Sequence, residues 1–179
     1  MKRVYMIAGK ARHGKDTTAC FIKEYLENKS IKTVILQISS PLKFYAKKIL
    51  GWNGEETSKP RDFLQHLGIS VIREKMGEDF LIKRLIDDIK VLFNYADCIV
   101  VSDVRLPLEF ELVDKEFDDV VNVFIDRPLF NNSLTSEEKK HVTETALDNY
   151  NNYDIKIIND GSLSDLKNKV YEILKEDVL

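Results

Sequence analysis

A chain of 179 residues and 20.8 kDa fits one domain with a sizeable buried core. Its formal net charge of -3 and sequence pI near 5.7 argue against a general affinity for duplex nucleic acid or an anionic membrane, so basic residues must act locally. No apolar run approaches the roughly 20 residues that cross a bilayer.

Taken in chain order, Met1-Lys2-Arg3 and the apolar run Val4 to Ala8 are too short for a signal peptide and predict a first strand. Gly9 to Thr17 follows as a glycine loop, and Lys15 to Asn28 predicts a helix carrying Cys20. Thr33 to Ile38 predicts a second strand, Ser39-Ser40-Pro41 a turn, and Pro41 to Leu50 a second helix. Gly51 to Pro60 and, later, Asn131 to Thr135 are polar and turn-rich, and read as mobile surface segments. From Asp79 to Tyr95, residues Leu81, Leu85, Ile89, Leu92 and Phe93 recur at spacings of three and four, which predicts a core-facing helix. A third strand covers Cys98 to Val101, a helix Leu106 to Phe117, a fourth strand Val120 to Ile125 and a fifth Ile155 to Ile158. The last helix spans Ser162 to Lys175, where Ser162 and Asp165 have the spacing of a capping box.

The strand runs are β-branched and nearly continuous in apolar residues, which predicts parallel strands buried on both faces. Their alternation with helices predicts one α/β domain with right-handed crossovers, and no repeat, low-complexity tract or linker divides it. Cys20 and Cys98 read as small apolar side chains rather than as a disulfide or metal ligands, which suits a reducing cytoplasm.

Gly9-Lys10-Ala11-Arg12-His13-Gly14-Lys15-Asp16-Thr17 nearly matches the phosphate-binding pattern Gly-x-x-x-x-Gly-Lys-[Ser/Thr], in the strand-loop-helix context that the pattern requires. Gly9 and Gly14 permit close backbone approach, the loop amides and helix N-terminus favour phosphate oxygens, and Lys15 reaches the terminal phosphates as a point charge. Asp16 stands where a hydroxyl usually ligates Mg²⁺. A carboxylate is a stronger oxygen ligand for that ion, directly or through water, while helix capping in the first turn is the structural alternative. Thr17 supplies a hydroxyl one step later. For His13 the plain reading is solvent exposure; for Arg12 exposure and phosphate contact stand level.

The run Cys98 to Arg105 is an apolar strand ending in Asp103, the placement that brings a second carboxylate to the ligand edge of an open α/β sheet. Ser39 and Lys43 follow the second strand at the same edge. Arg61 and Arg73 have the fork geometry for phosphate and Gln65 pairs with a base edge, against the alternative of a charged helix face.

Gly9 to Thr17, the block Arg61…Gln65…Gly68…Arg73, Ser102-Asp103-Val104-Arg105-Leu106-Pro107…Glu109, and His141…Glu144…Leu147 with Asn159-Asp160-Gly161-Ser162-Leu163 together resemble phage-type deoxynucleoside monophosphate kinases. The resemblance covers most of the chain; the loop alone is shared with animal-type phosphomevalonate kinases, and within the family Asp at the hydroxyl position is ordinary. It implies a three-layer P-loop fold with a five-stranded parallel sheet, an acceptor-binding region at about 39–78 and a lid at about 127–141. It further implies ATP and Mg²⁺. Gly9, Lys10, Arg12, His13, Gly14, Lys15, Asp16 and Thr17 would hold the ATP phosphates, and Asn159 and Gly161 would lie where the adenine packs. Asp16 and Asp103 would serve the metal. Ser39, Lys43, Arg61, Gln65, Arg73 and Arg105 would bind the acceptor monophosphate, while Lys15, Arg105, Asp103 and Arg127 would act in transfer. Lys139 and Lys140 would assist, unless they form a solvated helix face. The implied partners are ATP and a nucleoside monophosphate, without nucleic acid or membrane, and a homodimer is compatible with the sequence. A kinase of another phosphorylated metabolite and a non-catalytic ATP-binding module are the alternatives.

Overall fold

The computed structural model describes residues 2–54, 63–128, 130 and 142–176. Five parallel strands make one sheet in the order β2-β3-β1-β4-β5. The central strand β1 (Arg3–Ala8) is buried at every position, and β3 (Cys98–Val104) at every position except the partly buried Asp103. Both are covered on two faces, which is why their sequences are apolar without alternation. The edges depart from that expectation. Beyond Thr33, β2 (Thr33–Leu36) is only partly buried, and β5 (Ile155–Ile158) buries Ile157 alone, while β4 (Val120–Asp126) is intermediate.

On one face, α1 (Lys15–Glu27) and α7 (Leu163–Glu176) place Ile22, Leu26, Val170 and Leu174 against Tyr5, Ile7 and Val123. The other face is covered by α2 (Ser40–Leu50), by a helical stretch α3 from residue 63 to Met76, by α4 (Phe80–Leu92) and by α5 (Pro107–Glu116). In α4 the buried stripe is Leu81, Ile82, Leu85, Ile86 and Ile89, wider than the predicted one, and Leu92 and Phe93 pack at its margin. Each such side chain contributes about 1.5–3 kcal/mol by leaving water. Phe110 of α5 stacks on Tyr150 with ring centroids 5.2 Å apart, and Tyr150 and Tyr153 anchor the segment before β5 onto this core.

Three features were not legible in the periodicity. Leu67–Arg73 of α3 winds as a π-helix, the form in which one extra residue widens the turn. A one-turn helix α6 (Val142–Thr145) precedes β5. Between β1 and β3 the register steps from Met6↔Val101 to Ala8↔Val104, so β3 carries an extra residue around Ser102 and Asp103. That bulge extends β3 beyond its predicted end at Val101 and turns both Val101 and Val104 into the same core. Cys98 is buried as expected, but Cys20 is exposed on α1.

Candidate active site

The loop between β1 and α1 is held by conformations and contacts that its sequence demands. Gly9 and Gly14 have φ of 150° and 104°, and a Cβ on Gly9 would lie 2.4 Å from the Ile125 carbonyl oxygen. Only glycine fits there. Arg12, exposed at the loop apex, adopts φ of 63°. Lys15 is folded inward, buried, with Nζ donating to the carbonyls of Gly9 and Lys10 at 2.8 Å each. Burial, aided by the nearby Arg105 charge, lowers its pKa to about 7.

Asp16, on the first turn of α1, is tied to the sheet. Its Oδ1 accepts from Ser102 Oγ at 2.7 Å and from Gln37 Nε2 at 3.0 Å, and Gln37 Oε1 in turn accepts from Lys43 Nζ at 2.6 Å. Asp103, the next residue of the bulge, points elsewhere. Its carboxylate accepts from the amides of Ile38 and Ser39 at 2.7 and 3.0 Å and from Ser39 Oγ at 2.6 Å. Those bonds pull the chain out of β2 after Leu36, two residues before the predicted end, and fix the turn that launches α2. Asp103 and Ser39 thus meet as a brace for the turn between β2 and α2. Among the described residues no three metal-binding side chains cluster. A Mg²⁺ ion held by one carboxylate, substrate phosphates and water needs no such cluster, and Asp16 suits that role.

Arg105 leaves the end of β3 toward the loop. Its Nη1 donates to Glu144 Oε1 at 2.8 Å and lies 3.5 Å from the Gly9 carbonyl oxygen. Glu144 of α6 is buried, and its Oε2 accepts from the Ala11 amide of the loop at 3.0 Å. Behind Arg105, Glu109 Oε2 accepts from the amides of Arg105 and Leu106 at 2.7 and 3.0 Å, closing the first turn of α5. Burial raises the Glu109 pKa to about 7, against those two amides and the Arg73 guanidinium, which stands 3.6 Å from Oε1. Arg73 therefore joins Arg105 through Glu109. The sequence assigns no role to Glu109 or Glu144; a glutamate three residues after Leu106, at the third position of a helix that opens on Pro107, is the signal for the first, and the second carries none beyond the motif.

His13 corrects the plain expectation of exposure. It is buried, and its Nδ1 accepts from the Arg127 amide at 3.0 Å, which defines the neutral ring with its proton on Nε2. Burial lowers its pKa, so the 3.5 Å approach to Asp126 Oδ1 is a contact rather than an ion pair. The Arg127 guanidinium lies over the Phe130 ring, 4.3 Å from its centroid. Asn159 braces the loop as well, donating through Nδ2 to the His13 carbonyl at 2.9 Å. Gly161 leaves room for Asp165, whose Oδ2 accepts from the Ser162 amide and hydroxyl, the capping box expected there. Lys10 pairs with Asp148 at 2.9 Å, Thr17 is half-buried in the first turn of α1, and Gln65 is half-buried in α3. Arg61, Lys139, Lys140 and His141, with 131–135 and most of the lid, lie outside the described residues.

A cavity of about 330 Å³ opens beside the loop between Gly9, Lys10, Glu144, Phe124 and Tyr153. It does not include Lys15, Asp16 or Arg105, so this hollow lies beside their cluster rather than at it.

The fold is that of the P-loop kinases. The APS kinase CysC of Mycobacterium tuberculosis, solved in complex with AMPPNP and APS, is 18% identical with a TM-score of 0.55, covering 97% of this chain and 98% of its own. Shikimate kinase from Aquifex aeolicus is 18% identical with a TM-score of 0.52 over 98% of this chain and 97% of its own. A sugar kinase from Janibacter sp. is 10% identical with a TM-score of 0.57 over 98% of this chain and 95% of its own. No curated protein matches the chain. The model of the deoxynucleotide monophosphate kinase family matches residues 36–170, and the chain belongs to that family. This membership supports a nucleotide kinase, a phosphotransferase, as its activity. Among the described residues no helix is long and apolar enough to cross a membrane.

Proposed function

We propose that this chain transfers the terminal phosphoryl group of ATP to a deoxynucleoside monophosphate. The observation that carries the reading is the path of β3. Within four residues it ties Asp16 of the phosphate loop through Ser102, braces the acceptor-side turn through Asp103, and sends Arg105 to the loop's edge. Phosphoryl transfer needs in-line placement and charge neutralisation more than covalent chemistry. Lys15 and the loop amides bind the donor phosphates, and Arg105 and Arg73 bind the acceptor phosphate, whose ionised oxygen needs no dedicated base. Mg²⁺ would be held by Asp16 and would neutralise developing charge on the transferring group. Asp103, which both oxygens commit to the turn, acts by placing the acceptor region. Ser39, Lys43 and Gln65 lie along that region. Arg127 is the lid-side cation, with its backbone set by His13. ATP and nucleoside monophosphates make the cytoplasm the compartment this reading requires.

The test is ADP formation from Mg-ATP with a panel of deoxy- and ribonucleoside monophosphates and phosphomevalonate, beside Lys15→Ala. Turnover with a deoxynucleoside monophosphate, lost in the variant, is expected. Turnover with phosphomevalonate alone, or none across the panel despite ATP binding, overturns the reading.

A further inference from the structure

Glu144 has no part in the transfer just described, yet it is the carboxylate set deepest against the phosphate loop. Its side chain is 6% exposed and makes two bonds at once, to the Arg105 guanidinium at 2.8 Å and to the Ala11 amide at 3.0 Å. The segment that carries it is fixed independently. Leu147, Tyr150 and Tyr153 pack into the core against Phe110, and Lys10 and Asp148 pair across the loop at 2.9 Å. The carboxylate is therefore presented by an anchored strap.

The electrostatics explain what it would do there. Lys15 Nζ and Arg105 Nη1 both reach the Gly9 carbonyl, at 2.8 and 3.5 Å, and the Glu144 carboxylate meets Arg105 there. Without a counter-charge, a partly exposed arginine lowers its energy by swinging into water. We propose that Glu144 is a positioning residue, whose buried carboxylate holds Arg105 at the edge of the phosphate loop and fastens the chain that follows the lid to that loop. It acts through Arg105 and does not touch the reacting groups. The inference rests on the kinase reading for its consequence, though not for its geometry.

Two measurements separate these. The first is a double-mutant cycle of Glu144→Gln and Arg105→Ala in turnover with the preferred monophosphate. The Gln keeps an acceptor for the Ala11 amide but turns a neutral group toward Arg105. Expected is a kcat about tenfold or more below wild type in Glu144→Gln, a KM for ATP within about threefold, and a double variant no slower than Arg105→Ala alone, because the carboxylate acts only through the arginine. Losses that multiply in the double variant, or a Glu144→Gln enzyme as active as wild type, overturn the proposal. An enzyme that binds ATP more tightly after the change would instead make the carboxylate a competitor for the phosphate seat. The second is the Arg105 Nη1–H resonance in the nucleotide-free protein, the group from which Glu144 accepts, assigned by its loss in Arg105→Lys. Expected is a signal protected from exchange in wild type and lost in Glu144→Gln; an unchanged signal overturns the proposal even if no monophosphate is turned over. Should Glu144→Gln fail to fold, as its unfolding midpoint would reveal, Glu144→Asp takes its place in both measurements, since it keeps the charge and shortens its reach.

Discussion

Binding of Mg-ATP to this protein is expected to draw a proton from solution at alkaline pH, through Lys15. In the free protein its ammonium is buried beside Arg105, and its pKa lies near 7. Its two bonds, to the Gly9 and Lys10 carbonyls, suit a neutral amine with two donors as well as an ammonium. Polyphosphate arriving at the loop favours the charged form and returns the pKa above the working range. The sign follows: the free protein holds fewer protons than the complex, so protons are taken up on binding. At pH 8 about one free molecule in ten is protonated at Lys15, so uptake is about 0.9 proton per nucleotide; at pH 7 it is about 0.5, and at pH 6 about 0.1. The dissociation constant rises about tenfold per pH unit above 7 and is flat below it. Isothermal titration at pH 8 in two buffers of different protonation enthalpy gives the uptake, and Lys15→Met subtracts contributions from His13, Glu109 and the nucleotide. Equal uptake in wild type and Lys15→Met would refute the reasoning, because it would place the proton elsewhere.

Gly9→Ala is expected to destabilise the fold by about 1–3 kcal/mol or more through strained backbone, since its Cβ would meet the Ile125 carbonyl at 2.4 Å; urea unfolding reads the loss. Glu109 binds its proton more tightly in the folded chain, with a pKa near 7 against an ordinary 4.5. The stability it contributes is fully present below about pH 4.5 and declines as pH rises to about 7. Glu109→Gln should therefore gain on wild type across that window, and unfolding midpoints at pH 5 and 7.5 that move in parallel would contradict it. Ser102→Ala removes the 2.7 Å bond to Asp16; a loss of about 1 kcal/mol in stability and a several-fold weaker dependence of turnover on Mg²⁺ are expected, read by magnesium titration of the rate.

Much of this architecture was written in local pattern. The five apolar runs became the five parallel strands, though only the central β1 and β3 are buried along almost their whole length and so need apolar residues at nearly every position, and the stripe in α4 faced the core at helical spacing. The glycine loop was legible because Gly9 and Gly14 are each required by a backbone conformation and an approach that other residues cannot make. One expectation failed, and one partner stayed hidden, where the neighbour in space differs from the neighbour in sequence. His13 was read as exposed, since nothing adjacent to it shows that the Arg127 amide, from the far end of β4, closes over its ring. Asp103 stands near the end of β3 at the ligand edge, as expected for a residue that serves the metal or the acceptor, but only the bulge shows that its carboxylate meets the turn after β2 and that Ser102 makes the contact with Asp16.

The sequence by itself thus determined the fold class and the glycine loop with its lysine, because both rest on short-range spacing and on residues whose conformational demands are intrinsic; the family entered as a resemblance of motifs spread along the chain, and the family model matches residues 36–170. Only the tertiary structure decided which charges meet which groups: Glu144 with Arg105 and the Ala11 amide, Glu109 with the first turn of α5, Asp103 with the turn between β2 and α2. Those pairings depend on strand order, on one extra residue in β3 and on chain segments up to 133 residues apart, and side-chain charge in sequence carries no record of its partner.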